Sequence, residues 1–153
     1  MKLAEALMER SAMQTKLNSL RERIVRNALV QDGSAPHEDP QALLGEAHGI
    51  IDAMHELVAR INATNAVTTM PNGGTLTQAI AERDKLKQRH ALIGSAVEGS
   101  SKDPDRFRRS EVKWVSTVNV SSLMKQMDDL AGQIRRINVE IQEVNWNTQL
   151  IDV

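Results

Sequence analysis

The chain has 153 residues, 41% hydrophobic and 25% charged, with a formal net charge of −1, which fits one ordinary domain with enough apolar material for a core. That near-balance argues against a general polyanion binder, and the absence of cysteine excludes disulfides, zinc–thiolate and iron–sulfur sites and a cysteine nucleophile. One Phe, two Trp and no Tyr leave too few rings for an aromatic-walled pocket or a base-stacking platform. The stretch Met1–Arg10 carries Glu5, Glu9 and Arg10 where an export signal needs unbroken apolar residues, and no long apolar run follows, so a cytoplasmic protein without a membrane span is expected. From Leu3, positions spaced alternately three and four apart are Leu3, Ala6, Arg10, Met13, Leu17, Leu20, Ile24 and Asn27. This heptad seam predicts a first helix, ending near Asp32-Gly33, where glycine can take a left-handed cap. Asp39-Pro40 is a start signal, a carboxylate cap before a proline at the first helical position.

The second helix shows a cleaner seam, Leu43, Ala47, Ile50, Met54, Leu57, Ile61 and Thr64. Met70-Pro71-Asn72-Gly73-Gly74 stops it and turns the chain. Thr75 then opens a third helix, with Gln78 completing a capping box, and the seam continues as Leu76, Ala79, Arg83, Leu86, His90, Ile93 and Val97 until Gly99-Ser100-Ser101. Between 102 and 119 the apolar residues Val112, Trp114, Val118 and Val120 alternate at period two, which fits either a short strand or hairpin or an extended loop laid over the helices with Trp114 partly buried. Asn119 or Ser121 can cap the last helix, whose seam, Leu123, Met127, Leu130, Ile134, Ile137, Ile141 and Val144, is wholly apolar.

The seams expose an internal repeat. Shifted by 73, the first helix falls on the third, Leu3 on Leu76, Ala6 on Ala79, Glu9-Arg10 on Glu82-Arg83. Shifted by 80, the second falls on the fourth, and Asn65 meets Asn145. Heptad patterns align by chance, but matched Glu-Arg pairs beside matched alanines do not follow from the pattern. The four helical segments carry +2, −4, +1 and −2 in order, so basic odd helices suit acidic even ones as partners. The expected architecture is all-α, one domain over 1–153 built of two related long antiparallel helical hairpins (1–70 and 75–150), four-helix and coiled-coil-like, each rod about 40 Å long.

Three groups of residues are candidates for sites. Arg10 and Arg83 occupy seam positions, so each needs a partner, because an unpaired buried charge is costly. In antiparallel hairpins they approach the Asn62–Asn65 and Asn145–Asn147 ends. A polar layer of Arg10, Arg83, Asn65 and Asn145 that fixes register is preferred over paired anion pockets. His48, Asp52 and His55 share one helical face with metal-ligand spacing. No second histidine motif accompanies them, as a di-iron bundle would require, so a solvated polar face is preferred and no metal or other cofactor is expected. Lys102, Arg106, Arg108, Arg109 and Lys113, interleaved with Phe107 and Trp114, form the one local basic cluster, a pattern suited to single-stranded nucleic acid. Asp103, Asp105 and Glu111 reduce its net charge to +2. No serine sits in a nucleophile elbow, and Asn72-Gly73-Gly74-Thr75 lacks the Lys-Ser/Thr and the preceding strand of a phosphate loop.

Several phrases in order along the chain, Met1-Lys2-Leu3-Ala4-Glu5-Ala6-Leu7, Arg60-Ile61-Asn62-Ala63-Thr64-Asn65, Gly74-Thr75-Leu76-Thr77-Gln78-Ala79, Arg109-Ser110-Glu111-Val112-Lys113, Val115-Ser116-Thr117-Val118 and Gln142-Glu143-Val144-Asn145-Trp146, resemble a small all-helical bacterial family of uncharacterised function whose members often carry the name septicolysin-like. The resemblance brings no reaction, cofactor or catalytic residue with it. The name suggests a cytolysin, yet the chain has neither a spanning stretch nor a long alternating segment able to become a barrel hairpin. The residues themselves favour a non-enzymatic, self-associating helical scaffold or interaction protein. A nucleic-acid-binding module using loop 102–114 is the alternative, and a membrane-active protein the third.

Overall fold

A computed structural model describes residues 1–102 and 113–152. The fold is all-α, with α1 at Leu3–Asn27, α2 at Pro40–Val67, α3 at Leu76–Ser101 and α4 at Val120–Asn147. The helix pairs α1·α2 and α3·α4 each pack closely. The chain divides into two compact units, Met1–Thr69 with Glu143–Val153, and Met70–Gln142.

In the first unit α1 and α2 run antiparallel. Reading α1 backwards and α2 forwards, Arg23 meets Glu38, Leu20 packs with Leu43 and Ala47, and Lys16 meets Glu46. Leu17, Ile24 and Ile50 seal this cluster. The start of α2 is as the sequence predicts, with Pro40 at the first position and the Asp39 carboxylate accepting from Gln41 N at 2.9 Å.

The end of α1 is not. The helix stops at Asn27, five residues before Asp32, although Gly33 does take a positive φ of 83°. The buried Asn27 side chain explains the early stop. Its amide donates to Arg23 O at 2.9 Å, and its carbonyl accepts from Glu38 N at 3.1 Å, tying the last turn of α1 to the approach of α2.

The other end of this unit is closed by the 148–152 segment. Lys2 and Gln149 form an isolated antiparallel bridge. Leu3 N donates to Thr148 O at 2.9 Å, and Leu150 N to Met1 O at 3.0 Å. Thr64, fully buried, donates to Arg60 O at 2.7 Å and accepts from Ile151 N at 3.2 Å. Arg60 donates to Ile151 O at 3.2 Å and meets Asp152 at 2.6 Å. Leu3, Ala6, Ile61, Asn145 and Leu150 are buried around this clamp.

The second unit begins with the predicted turn. Met70 N donates to Gly74 O at 2.7 Å and Gly73 N to Met70 O at 2.9 Å, with Gly73 at φ 89°, a conformation glycine adopts without a Cβ penalty. The capping box is formed. Thr75 Oγ1 accepts from Gln78 N at 3.2 Å, and Gln78 Oε1 accepts from Thr75 N at 2.9 Å. Helix α3 ends at Ser101, within the Gly99-Ser100-Ser101 stop that the sequence predicts.

Asn119 caps α4, accepting from Ser122 N at 3.0 Å. Residues 113–119 form no strand, and 103–112 lie outside the described residues. Trp114 is 57% exposed rather than partly buried, because the whole described flank from Lys113 to Val120 is exposed and offers its ring no cover.

Positions 73 and 80 apart repeat the same bonds. Lys2 N donates to Glu5 as Thr75 N does to Gln78. Leu150 N donates to Met1 O as Met70 N does to Gly74 O, and Thr148 N to Val144 O as Thr68 N does to Thr64 O.

Candidate functional site

Among the described residues a groove of about 350 Å³ lies between α3 and α4, lined by Arg89, Leu92, Ile93, Gln126, Asp129, Leu130 and Gln133. The spacings explain why these side chains converge. Arg89, Leu92 and Ile93 are three and four apart on α3, and Gln126, Asp129, Leu130 and Gln133 follow at three, four and seven on α4, so each set stacks along one helical face. Ile93 and Leu130 are seam residues and half-buried, and they form the apolar floor. Met127 of α4 packs against Gly94 of α3, its methyl 3.5 Å from where a Cβ on Gly94 would stand, an ordinary contact. The polar residues are exposed, and so is Leu92, at 73%.

Chemically the groove has two aliphatic floor residues, two amides, one cation and one anion, with neither a histidine nor a hydroxyl among its lining. Such a mixture is suited to receiving a helix face, with apolar anchors at its centre and polar groups at its rim.

Electrostatics differ elsewhere. In the first unit Arg23 forks onto Glu38, its Nε 3.1 and 3.0 Å from the two carboxylate oxygens. This bond holds the Glu38 carboxyl below its ordinary range and raises the Arg23 guanidinium. Lys16 at 2.8 Å likewise lowers Glu46, and Lys102 at 2.7 Å lowers Glu98. All are solvated pairs of modest worth.

The sequence candidates scatter. Arg10 is exposed, so no polar core layer forms around it. Burial on α1 is concentrated at Leu3, Ala4 and Ala6 and at Leu20 and Asn27, and between these clusters the long Arg10 side chain keeps its charged head in water. Arg83, 24% exposed, turns to its neighbour Asp84, with Nε and Nη2 at 2.9 and 2.8 Å from one carboxylate oxygen. Asn65 is half-buried and Asn145 buried. His48, Asp52 and His55 are all exposed, and among the described residues no three potential ligands come together as a metal site would need. Lys113 and Trp114 are exposed, while Arg106, Arg108 and Arg109 lie outside the described residues.

Sequence reasoning missed the Arg23–Asn27–Glu38 knot, Thr64 as the anchor of the 151 segment, and the placing of Arg89 and Asp129 on opposite sides of one groove. The signal for the last was present, since both flank seam residues. Among the described residues no helix is long and apolar enough to cross a membrane.

Residues 10–150 match the model of a family of unknown function, DUF6847. A crystal structure of a functionally unknown conserved protein from Corynebacterium diphtheriae is similar over 99% of both chains, at 36% identity and a TM-score of 0.87. Neither bears the septicolysin name. No curated protein matches the chain.

Proposed function

The chain belongs to that DUF6847 family, and we propose that it acts without chemistry of its own, as a self-associating helical scaffold or interaction protein of the cytoplasm. The observation that carries this reading is the groove between α3 and α4, with its apolar floor, the exposed Leu92 at its edge and opposite charges on its two helices. An exposed leucine beside an amphipathic groove is the pattern of a helix-docking surface. The bonds repeated at offsets of 73 and 80 support reading the chain as a duplicated hairpin.

Solution mass by light scattering on a size-exclusion column, across a concentration series, tests the proposal. An oligomer of the 17.0 kDa chain, populated more as concentration rises, is expected. A monomer persisting to about 1 mM, where an association of only about −4 kcal/mol would be half formed, would overturn it.

The exposed Lys113 beside the exposed Trp114 favours a second reading, a nucleic-acid-binding module using loop 102–114, since a cation next to an open indole is what single-strand binders employ. Fluorescence anisotropy with a labelled single-stranded oligonucleotide tests it. Binding that weakens on reversing Arg108 and Arg109 to Glu is expected. Absence of binding, or binding indifferent to the reversal, removes it.

A further inference from the structure

The two helices of the groove carry opposite charges that face each other across it. Arg89 projects from α3 and Asp129 from α4, and both are exposed residues lining the one groove. Among the described residues neither is held in an ion pair. Leu92, one turn from Arg89, is 73% exposed beside the half-buried Ile93 and Leu130. A surface with a cation on one side, an anion on the other and an apolar strip between them is complementary to itself after a half-turn.

We propose that this groove is covered by the same groove of a second copy, in a two-fold dimer where Arg89 of each copy meets Asp129 of the other. The proposal rests on the self-association reading and specifies its partner and geometry. Symmetry selects the arrangement. A two-fold axis running along the groove sets α3 of one copy over α4 of the other without shifting the level, so the Arg89 side of each copy lies over the Asp129 side of the other. Leu92 of each copy is carried onto the Leu130 row of the other, and four helices enclose one apolar seam. A two-fold axis running across the helices would instead set α3 on α3 and α4 on α4, bringing the two Arg89 sides together and the two Asp129 sides together, which like-charge repulsion opposes.

The test is a mixing experiment on the full chain. The wild type is measured first by light scattering and analytical ultracentrifugation, then Arg89→Glu and Asp129→Arg separately, then the two variants in equal parts. The wild type is expected at twice the 17.0 kDa chain mass. Each single variant places like charges against each other at both contacts, and its dimer dissociation constant is expected to rise at least tenfold, by about one order of magnitude or more. The mixture restores both opposite-charge contacts. The introduced glutamate of one chain then faces the introduced arginine of the other, and the unaltered Asp129 of the first faces the unaltered Arg89 of the second. The affinity of the mixed dimer is expected within about threefold of wild type.

Recovery on mixing separates an interface effect from a folding defect, since neither chain gains anything within itself. Arg89→Lys keeps the charge and is expected to keep the dimer. A wild type that associates while both reversals leave it unaffected, or single variants that stay apart when mixed, would overturn this geometry and leave self-association standing through another face. A wild-type trimer would do the same. A wild type that stays monomeric to about 1 mM would remove both proposals together.

Discussion

The two helical hairpins share one seam spacing and differ in what they do with the charges beside it. In α1·α2 the flanking groups meet each other. Arg23 forks onto Glu38, Lys16 reaches Glu46, and Asn27 ties the helix end to Glu38 N. In the second unit the described ion pairs are local, Arg83 with Asp84, Lys85 with Glu82 and Lys102 with Glu98, and Arg89 and Asp129 are left facing an open groove. The apolar seam therefore closes a hairpin in either case. The flanking positions decide whether that hairpin is satisfied within itself or presents a surface to something else.

The first hairpin is most vulnerable at Leu20. It is fully buried in the α1·α2 cluster, and Leu20→Ala is expected to lower stability by about 2–5 kcal/mol, read by urea unfolding followed by circular dichroism. A loss under about 1 kcal/mol would mean the first hairpin does not depend on that cluster. Asn27→Ala comes next. It leaves Glu38 N without its acceptor in a part-buried site and is expected to cost about 1–3 kcal/mol, with accelerated amide exchange at residue 38 as the local sign.

The Arg23–Glu38 fork sharpens the contrast through pH. The folded Glu38 carboxyl lies below its ordinary range, so its contribution is complete above the unfolded value of about 4.3 and is lost as pH falls through the folded one. Wild type is expected to lose more thermal stability than Glu38→Gln between about pH 6 and pH 3, with the two melting curves converging at the acid end. The smallest stability effect is expected at Leu92. Leu92→Ser should leave the melting temperature of the fold nearly unchanged, within about 0.5 kcal/mol, while weakening association. A large loss of stability there would show that Leu92 serves its own hairpin.

What the sequence makes legible is what a few neighbouring residues decide. The seams, the Asp39-Pro40 start, the Thr75–Gln78 box and the Pro71–Gly74 turn all depend on spacings of a turn or two. Asn27 shows the limit. Gly33 is a local stop signal, whereas the actual end of α1 is fixed by a backbone donor eleven residues on, at Glu38. Thr64 is further out of reach, because its hydroxyl serves Ile151, 87 residues away. Arg10 marks a different failure. Periodicity assigns a residue to a face of the helix, but how deeply that face is buried at a given level is a tertiary matter, and Arg10 is left exposed. Arg89 and Asp129 are readable in the sequence only as flanking charges, and it is the pairing of α3 with α4 that sets them across one groove.

The clamp between the 1–3 and 148–150 segments also governs how the molecule bears tension. Its two segments run antiparallel, so a force drawing residues 1 and 152 apart does not shear the bonds together but loads them one after another. The outer stitches go first, Arg60 from Asp152 and Ile151 from both Thr64 and Arg60. Leu150 then parts from Met1, and Leu3 from Thr148. Each step opposes the pull with only one or two bonds, each of about 0–1.5 kcal/mol net, so under load the protein opens like a zipper from its ends.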